Sequence, residues 1–404
     1  MTEPTISALK SSMFEELKTL QAKQILDARA LGFSQIRLLP KNNGLRPITN
    51  LRRRITKLQN GRVTLGRSIN SVLAPVFNVF DFEKRKQPAL VGSALFSVGD
   101  MYSKLKSFAQ KRQEGSSTGA RLYFVKADAK SCFDTIPQRR LVRVMEQIAS
   151  EDEYRIARHA EIKASDVCSF RHANTIQSKP ARKFVSIARA GTAFPDFDEV
   201  IGQGPARVRK NTVFVDGIVQ ISQKKRKVLD LLNDHVERNI VKVGKKFFRQ
   251  KKGIPQGSIL SSLLCNYFYA QLEEEKFGFL EESESVLMRL IDDFLLITTN
   301  KAHARKFSQI MHDGVQDYGV EVNPAKSLAN FELVINGHQV PLLDDGVAFP
   351  YCGNMINTKT LEITKDRNRR KATGIECHPT RIEPWLRMHS LSRYPHSRLM
   401  ENAW

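Results

Sequence analysis

The sequence predicts an α+β fold, and three observations carry that prediction. Apolar residues recur at helical spacing in several long segments, short apolar runs flank turn residues as in hairpins, and no internal repeat or long low-complexity tract interrupts them. The chain has 404 residues, enough for two or three compact units or for one large fold with an insertion.

In chain order, Leu9, Met13, Leu17 and Leu20 stand at helical spacing and predict an amphipathic opening helix running to Ala30-Leu31-Gly32. "FSQIRLLPKNNGLRPITNLRRR" places short apolar runs around Asn-Asn-Gly and predicts a hairpin with Lys41 and Arg46 near its tip. A basic, mostly helical stretch leads to a Gly/Ser loop and a strand over Leu122–Asp128 that ends on an acid. Between about 145 and 247 the pattern is irregular: a charged helical run over Leu141–Ala164, a Pro/Gly-bearing middle at Gly202–Pro205, a short strand at Asn211–Val215 and a helix over Lys224–Asn239. That region reads as an insertion. "GIPQGSILSSLLCNYFYAQLEEE" breaks at Gly253 and Pro255 and restarts as a helix capped near Ser258, with Leu260, Leu264, Phe268 and Leu272 along one side. "LMRLIDDFLLITTN" reads as strand, acidic turn, strand. A helix over Ala302–Tyr318, the loop "VEVNPAKS" and strands around Val334–Val340 and Phe349–Ile356 follow. From about Thr373 no period is sustained, which predicts a poorly ordered tail.

The totals narrow the function classes. A formal charge of +22 favours nucleic acid or an acidic membrane surface as partner. No apolar stretch approaches the roughly 20 residues that span a bilayer, and the N-terminus lacks the apolar core of a signal peptide. The expectation is a soluble, intracellular protein. Cys132, Cys168, Cys265, Cys352 and Cys377 are scattered without a paired spacing, so a zinc or disulfide role is disfavoured.

Asp292 and Asp293 form a doubled acid between the apolar runs "LMRLI" and "FLLIT", and Asp128 ends a strand upstream. An isolated Asp-Asp is commonly a surface turn. Here the apolar flanks predict buried strands, and buried carboxylates need neutralisation. Three of them can share oxygens with two Mg2+ ions, an arrangement that at about 4 Å separation suits in-line phosphoryl transfer. Lys41 and Arg46 suit a triphosphate grip, or are two solvated basic residues. Gly253 and Gly257 would let backbone approach a base or sugar, with Gln256 beside it, or the segment is a plain loop-to-helix junction. Phe133 could wall off a sugar's 2′ position, or sit in the core. Lys326 could act as general acid, or be a solvated loop lysine. The basic runs "LRRR", "KKRK", "KVGKK" and "RNRRK" would track phosphate backbones or line solvated helix faces. "KKRKV" also has the form of a nuclear-import signal.

In this order, "RLLPKNNGLRPI", "FVKADAKSCFDTIP", "GIPQGSILSSLLCNYFYAQLE", "LIDDFLLIT", "GVEVNPAKSLANF" and "FPYCGNMINTKTLEI" resemble the successive motifs of reverse transcriptases, and more specifically of telomerase reverse transcriptases of fungal type. The Leu-Ile ahead of the acid doublet and the roughly 100 residues between the first acid motif and "GIPQGS" favour telomerase over mobile-element enzymes. The resemblance implies a right-hand polymerase with fingers (1–121), a palm with an antiparallel sheet (122–145 and 248–372) and an insertion in the fingers domain (146–247), while residues 373–404 depart from the family pattern and read as an atypical, disordered tail. By position Asp128, Asp292 and Asp293 match the metal-binding triad, Lys326 the late-loop catalytic lysine, and Lys41 and Arg46 the nucleotide-gripping pair. Phe133 matches the aromatic gate, Gln256 and Gly257 the nucleotide pocket, and Tyr351, Cys352 and Gly353 the primer grip. The family usually has Trp at the position of Tyr351 and often Tyr at that of Phe133; an aromatic ring is kept at both. The family's N-terminal RNA-binding domain and C-terminal thumb have no counterpart in the motif order, so the chain reads as a fragment or truncated product.

The expected function is RNA-templated addition of deoxynucleotides to the 3′ end of telomeric DNA, with two Mg2+ ions, telomerase RNA, a telomeric DNA primer, dNTPs and telomerase accessory proteins as cofactors and partners, and the nucleus as location. A retroelement or group II intron reverse transcriptase, or a truncated non-catalytic nucleic-acid-binding isoform, are the alternatives.

Overall fold

The computed structural model describes residues 13–41, 44–59, 62–114, 119–163, 180–191, 197, 201, 211–344 and 346–366. They divide into two compact units, each assembled from separate chain segments. The first takes the described parts of Met1–Gly92, Ser131–Leu272 and Asp317–Gly319, and the second those of Ser93–Lys130, Glu273–Gln316 and Val320–Trp404.

The chain opens in the first unit with β1 (Phe14–Leu17), α1 (Thr19–Asp27), β2 (Ser34–Lys41), β3 (Gly44–Thr49), β4 (Arg54–Gln59), β5 (Arg62–Ser68), α2 (Ile69–Val72) and α3 (Ala74–Lys86). After α4 (Val98–Glu114) and β6 (Tyr123–Asp128) of the second unit, it returns through α5 (Cys132–Thr135), α6 (Gln138–Ile148), β7 (Glu153–Lys163), β8 (Ala181–Ala190), β9 (Thr212–Lys224), α7 (Lys225–Val236), β10 (Ile240–Val243), β11 (Lys246–Gln250) and α8 (Ser261–Phe277). The second unit closes with β12 (Ser285–Leu290), β13 (Asp293–Thr298), α9 (Lys301–Asp313), β14 (Leu328–Ala329), β15 (Val334–Ile335), β16 (His338–Gln339), β17 (Phe349–Tyr351), β18 (Asn354–Ile356) and β19 (Ile363–Lys365).

In the first unit one sheet has the order β1-β11-β10-β2-β3, with β10 and β2 parallel and the other neighbours antiparallel. A second sheet, β8-β7-β9, is a long antiparallel ribbon, and β4-β5 is a separate hairpin. The second unit is built on the antiparallel sheet β12-β13-β6-β14. Its core gathers Leu105 and Phe108 of α4, Phe124, Met288, Leu295 and Ile297 of the sheet, and Phe349 and Ile356 of the β17-β18-β19 meander.

Several predicted elements are corrected. The described start of the opening segment is a strand and a shorter helix, because Phe14–Leu17 pairs in register with Gln250–Phe247. That pairing buries Phe14 and Leu17 and leaves Leu20 70% exposed; a long-range ladder overrides helical spacing. The basic stretch after Arg54 begins as the β4-β5 hairpin before turning helical. The helical run from Leu141 ends at Ile148, and β7 replaces its second half. The break is fixed where the buried Glu83 carboxylate accepts hydrogen bonds from the Ser150 amide (2.9 Å) and the Tyr154 hydroxyl (2.5 Å). β8 was unforeseen, and the strand placed at Asn211–Val215 extends to Lys224. The helix placed over Ala302–Tyr318 stops at Asp313, where Gly314 takes a positive φ of 78°. The hairpin at Lys41 and Arg46, the strand into Asp128, the helix from Ser261 and the strand-turn-strand around Asp292 are present. Gly202–Pro205 and the tail from 373 lie outside the described residues.

Candidate active site

Two strands bring two of the acids together. Asp128 closes β6, Asp293 opens β13, and the two are direct cross-strand partners. Asp292 precedes in the β12-β13 turn, and its carbonyl accepts from the Ala129 amide at 2.9 Å. The sequence dictates this rim position: Phe294, Leu295, Leu296 and Ile297 are each 0% exposed, so the apolar run anchors the strand while the acids stay half-buried at its end. Ile291, just before the doublet, has φ of 62°, a left-handed conformation unusual for a β-branched residue and of a kind that gathers at functional turns.

Crowded carboxylates shift one another's proton affinity. Burial pushes Asp292 up to about 6, with the Asp293 charge adding to it. Asp293 is also raised, first by burial and then by Asp128, with Lys126 opposing. The Lys326 ammonium donates to both Asp128 carboxylate oxygens, at 2.9 and 3.0 Å. Lys326 is held there by a short turn over Pro324–Lys326 whose first residues are capped by the Asn323 side chain on the Ala325 amide, 3.2 Å.

Tyr351 and Cys352 complete this edge of the second unit. The Tyr351 hydroxyl donates to the Asp293 carbonyl at 2.8 Å and accepts from the Leu290 amide at 3.2 Å, joining both strands of the acid hairpin. The Cys352 thiol lies 3.8 Å from an Asp293 carboxylate oxygen; burial first, then that charge, pushes it up to about 12. Cys352 and Gly353 are the two central residues of the β17-β18 turn, with φ of 48° and 80°, as a type I′ hairpin requires.

Sequence reasoning missed Arg289. It is 0% exposed, donates to Glu273 at 2.5 Å through Nε, and stacks 5.6 Å from the Phe294 ring centroid. Glu273 also accepts from the Ser93 amide and hydroxyl, each at 2.7 Å, so a paired charge underpins the acid hairpin. The signal in the sequence was an Arg at an inward position of an otherwise apolar strand.

Lys41, Arg46, Phe133, Gln256 and Gly257 belong to the first unit. The Lys41 backbone pairs with Gly44 at the hairpin end, and Arg46 is exposed on β3. Phe133 is half-buried in α5, and its carbonyl accepts from the Ile254 amide at 2.7 Å. The Gln256 side chain donates to Asp134 at 2.8 Å, while its carbonyl accepts from the Thr49 amide and hydroxyl at 2.9 and 2.6 Å. Gly253 and Gly257 have φ of 70° and 112°, and a Cβ at either would lie 2.4 Å from the carbonyl oxygen of Phe133 or Thr49. They admit the chain's own backbone.

Among the described residues no group of three or more His, Cys, Asp or Glu side chains is arranged to hold a metal ion. The donor chemistry nonetheless fits a divalent cation: hard carboxylate oxygens on adjoining strands, disfavoured as neighbouring anions and relieved by positive charge.

A family model described as "Reverse transcriptase (RNA-dependent DNA polymerase)" matches residues 214–342, a span that includes the Asp292-Asp293 turn. The telomerase reverse transcriptase of Canis lupus familiaris is 31% identical over 90% of this chain and 32% of its own length. That of Mus musculus is 29% identical over 87% and 31%, and that of Oryza sativa 28% over 99% and 30%. The chain spans about a third of the curated relatives it matches. The apo telomerase of Candida tropicalis superposes with a TM-score of 0.59 at 20% identity, covering 90% of this chain and 52% of that one. Telomerase of Candida albicans, in complex with a TWJ fragment of telomeric RNA, gives 0.60 at 17%, covering 90% and 50%. These structural likenesses carry the mixed α/β fold. The chain carries a reverse-transcriptase domain, of the RNA-directed DNA polymerase class. Within that class it is a homologue of the telomerase reverse transcriptases.

Proposed function

We propose that the chain is the catalytic part of a telomerase: an RNA-templated DNA polymerase that extends a telomeric DNA primer with deoxynucleotides. The observation that carries this reading is the juxtaposition of Asp128 with Asp293 on paired strands, Asp292 in the adjoining turn and the Lys326 ammonium on Asp128. Asp128, Asp292 and Asp293 would hold two magnesium ions, which when bound lower the pKa of the primer 3′-hydroxyl and neutralise the departing pyrophosphate. The 3′-hydroxyl would release its proton to water as its oxygen bonds to the α-phosphorus and the bond to pyrophosphate breaks. Lys326, whose Nζ donates to Asp128 in this structure, would give a proton from Nζ to the leaving oxygen. Lys41 and Arg46 grip the triphosphate, Phe133 screens the sugar 2′ position, Gln256 and Gly257 shape the nucleotide pocket, and Tyr351, Cys352 and Gly353 seat the primer end.

The same proposal assigns fingers to 1–121, palm to 122–145 and 248–372, and a fingers insertion to 146–247. A telomerase RNA, accessory proteins, a nuclear location and a fungal subtype belong to it too, and rest on the sequence motifs. Among the described residues no helix is long and apolar enough to cross a membrane.

Primer extension on an RNA template with magnesium tests it. Asp128→Ala and Asp292→Ala should each lower incorporation at least about a thousandfold, the scale of losing core transition-state stabilisation. Unchanged extension by either variant sinks the assignment, and products without a short tandem repeat on a telomerase RNA sink the telomerase reading.

A further inference from the structure

Ser150 stands at a joint of the first unit where the surface meets a buried charge. It lies between α6 and β7 and is exposed. Its amide nevertheless donates to the Glu83 carboxylate of α3 at 2.9 Å, and its hydroxyl lies 3.0 Å from each carboxylate oxygen. Glu83 is only 1% exposed and also accepts from the Tyr154 hydroxyl at 2.5 Å. One carboxylate therefore ties α3 to the end of α6 and the start of β7, and the donors it holds are neutral. Such a buried acceptor is stable only while its donors stay in place.

Two ammoniums stand beside the joint. Lys86 donates from Nζ to Ser150 Oγ at 2.9 Å and to the Glu151 carboxylate at 2.5 Å, and the Lys225 Nζ donates to the Ala149 carbonyl at 2.5 Å. A phosphate on Oγ would have the first of them within reach. The residues after the serine are Glu151, Asp152 and Glu153, three acids in succession in a chain of charge +22. Residues 149–152 form neither helix nor strand, so this stretch offers a kinase an exposed hydroxyl on irregular backbone. The acids behind it complement a kinase whose substrate groove is basic.

We propose that Ser150 is a phosphorylation site for an acid-directed serine kinase, and that its phosphate releases α3 from the α6-β7 joint. The Ser150 oxygen bonds to the γ-phosphorus of a nucleoside triphosphate, the hydroxyl proton passes to the kinase's base, and the nucleoside diphosphate leaves. Oγ then has no hydrogen to donate, and a charge of about −1.5 to −2 at pH 7 stands next to the buried Glu83 carboxylate. Lys86 turns from Glu151 to the phosphate, and like-charge repulsion moves Ser150 and its amide off Glu83.

The test uses the full chain in two arms. In the first, a recombinant acid-directed kinase with magnesium and ATP should phosphorylate Ser150, located by tandem mass spectrometry. Phosphate that reaches other serines and spares Ser150 overturns the proposal. In the second, a chain with phosphoserine encoded at position 150 is compared with the unmodified chain by hydrogen exchange. Amides over residues 149–154 and in the last turns of α3 should exchange about tenfold faster with the phosphate, and unchanged exchange overturns the switch. Glu83→Gln removes the charge that the phosphate opposes, so in that background the phosphate should change exchange by less than about threefold. The full acceleration in Glu83→Gln would show that repulsion from Glu83 is not its cause and would overturn the mechanism. Should Glu83→Gln fail to fold by circular dichroism, the comparison in the wild-type chain decides alone. Both arms read phosphate uptake and local opening, so they are independent of primer extension and of the polymerase reading.

Discussion

At Tyr351 one hydroxyl serves two strands, donating to the Asp293 carbonyl and accepting from the Leu290 amide. With the side chain 1% exposed, neither backbone group has water as a substitute. Tyr351→Phe keeps the ring and removes both bonds, so it should cost about 1–3 kcal/mol of unfolding free energy, measured by urea denaturation. A loss below about 0.5 kcal/mol would mean the hydroxyl is not what ties the meander to the acid hairpin. The aromatic position was legible in the sequence. The hydroxyl's work was not, because its partners lie far upstream in the chain and nothing local encodes that distance. Arg289 was hidden for the same reason: its meaning rests on Glu273 and Ser93, each brought to it by folding.

Elements were legible where local pattern and tertiary context agree. The acid hairpin, the β2-β3 hairpin and the helices around Leu232 and Phe268 show their own period and keep it. They were misread where a distant strand decides, as in β1 on β11 and β7 between β8 and β9. α7 holds a further consequence of burial. His235 on its last turn is 1% exposed, and burial, helped by the Arg29 charge, pushes its pKa down to about 3 from the ordinary 6.5. Between those values the unfolded chain binds a proton that the folded chain refuses, so stability rises with pH across the window from about 3 to 6.5. At pH 5 the loss relative to pH 7 should be about 2 kcal/mol, from roughly 1.5 pH units at 1.36 kcal/mol each. Denaturation at both pH values checks this in the His235→Leu variant, which should lose that part of the acid sensitivity. An identical pH dependence in variant and wild type would exclude His235 as its source.

For the whole molecule, 64 Lys and Arg against 42 Asp and Glu give a formal charge of +22. The candidate chemistry uses few of those cations, since Lys326, Lys41 and Arg46 are the basic residues assigned to it. On the proposed function the remainder would gather phosphate backbones irrespective of sequence, by releasing condensed counterions. Binding and catalysis should therefore come apart. Asp292→Asn removes one negative charge from the acid cluster and leaves the basic surface intact, so it should bind an RNA·DNA hybrid within about threefold of the wild type, a difference under 1 kcal/mol. Extension should be abolished in the same variant. For both proteins, raising salt from about 50 to 200 mM should lower affinity by roughly 10³–10⁵, as for a protein neutralising six to ten phosphates. Anisotropy titrations at stepped salt measure the slope. A shallow slope, or hybrid binding lost together with extension, would show that the acid cluster and its metals hold the nucleic acid, and that the basic surface does not.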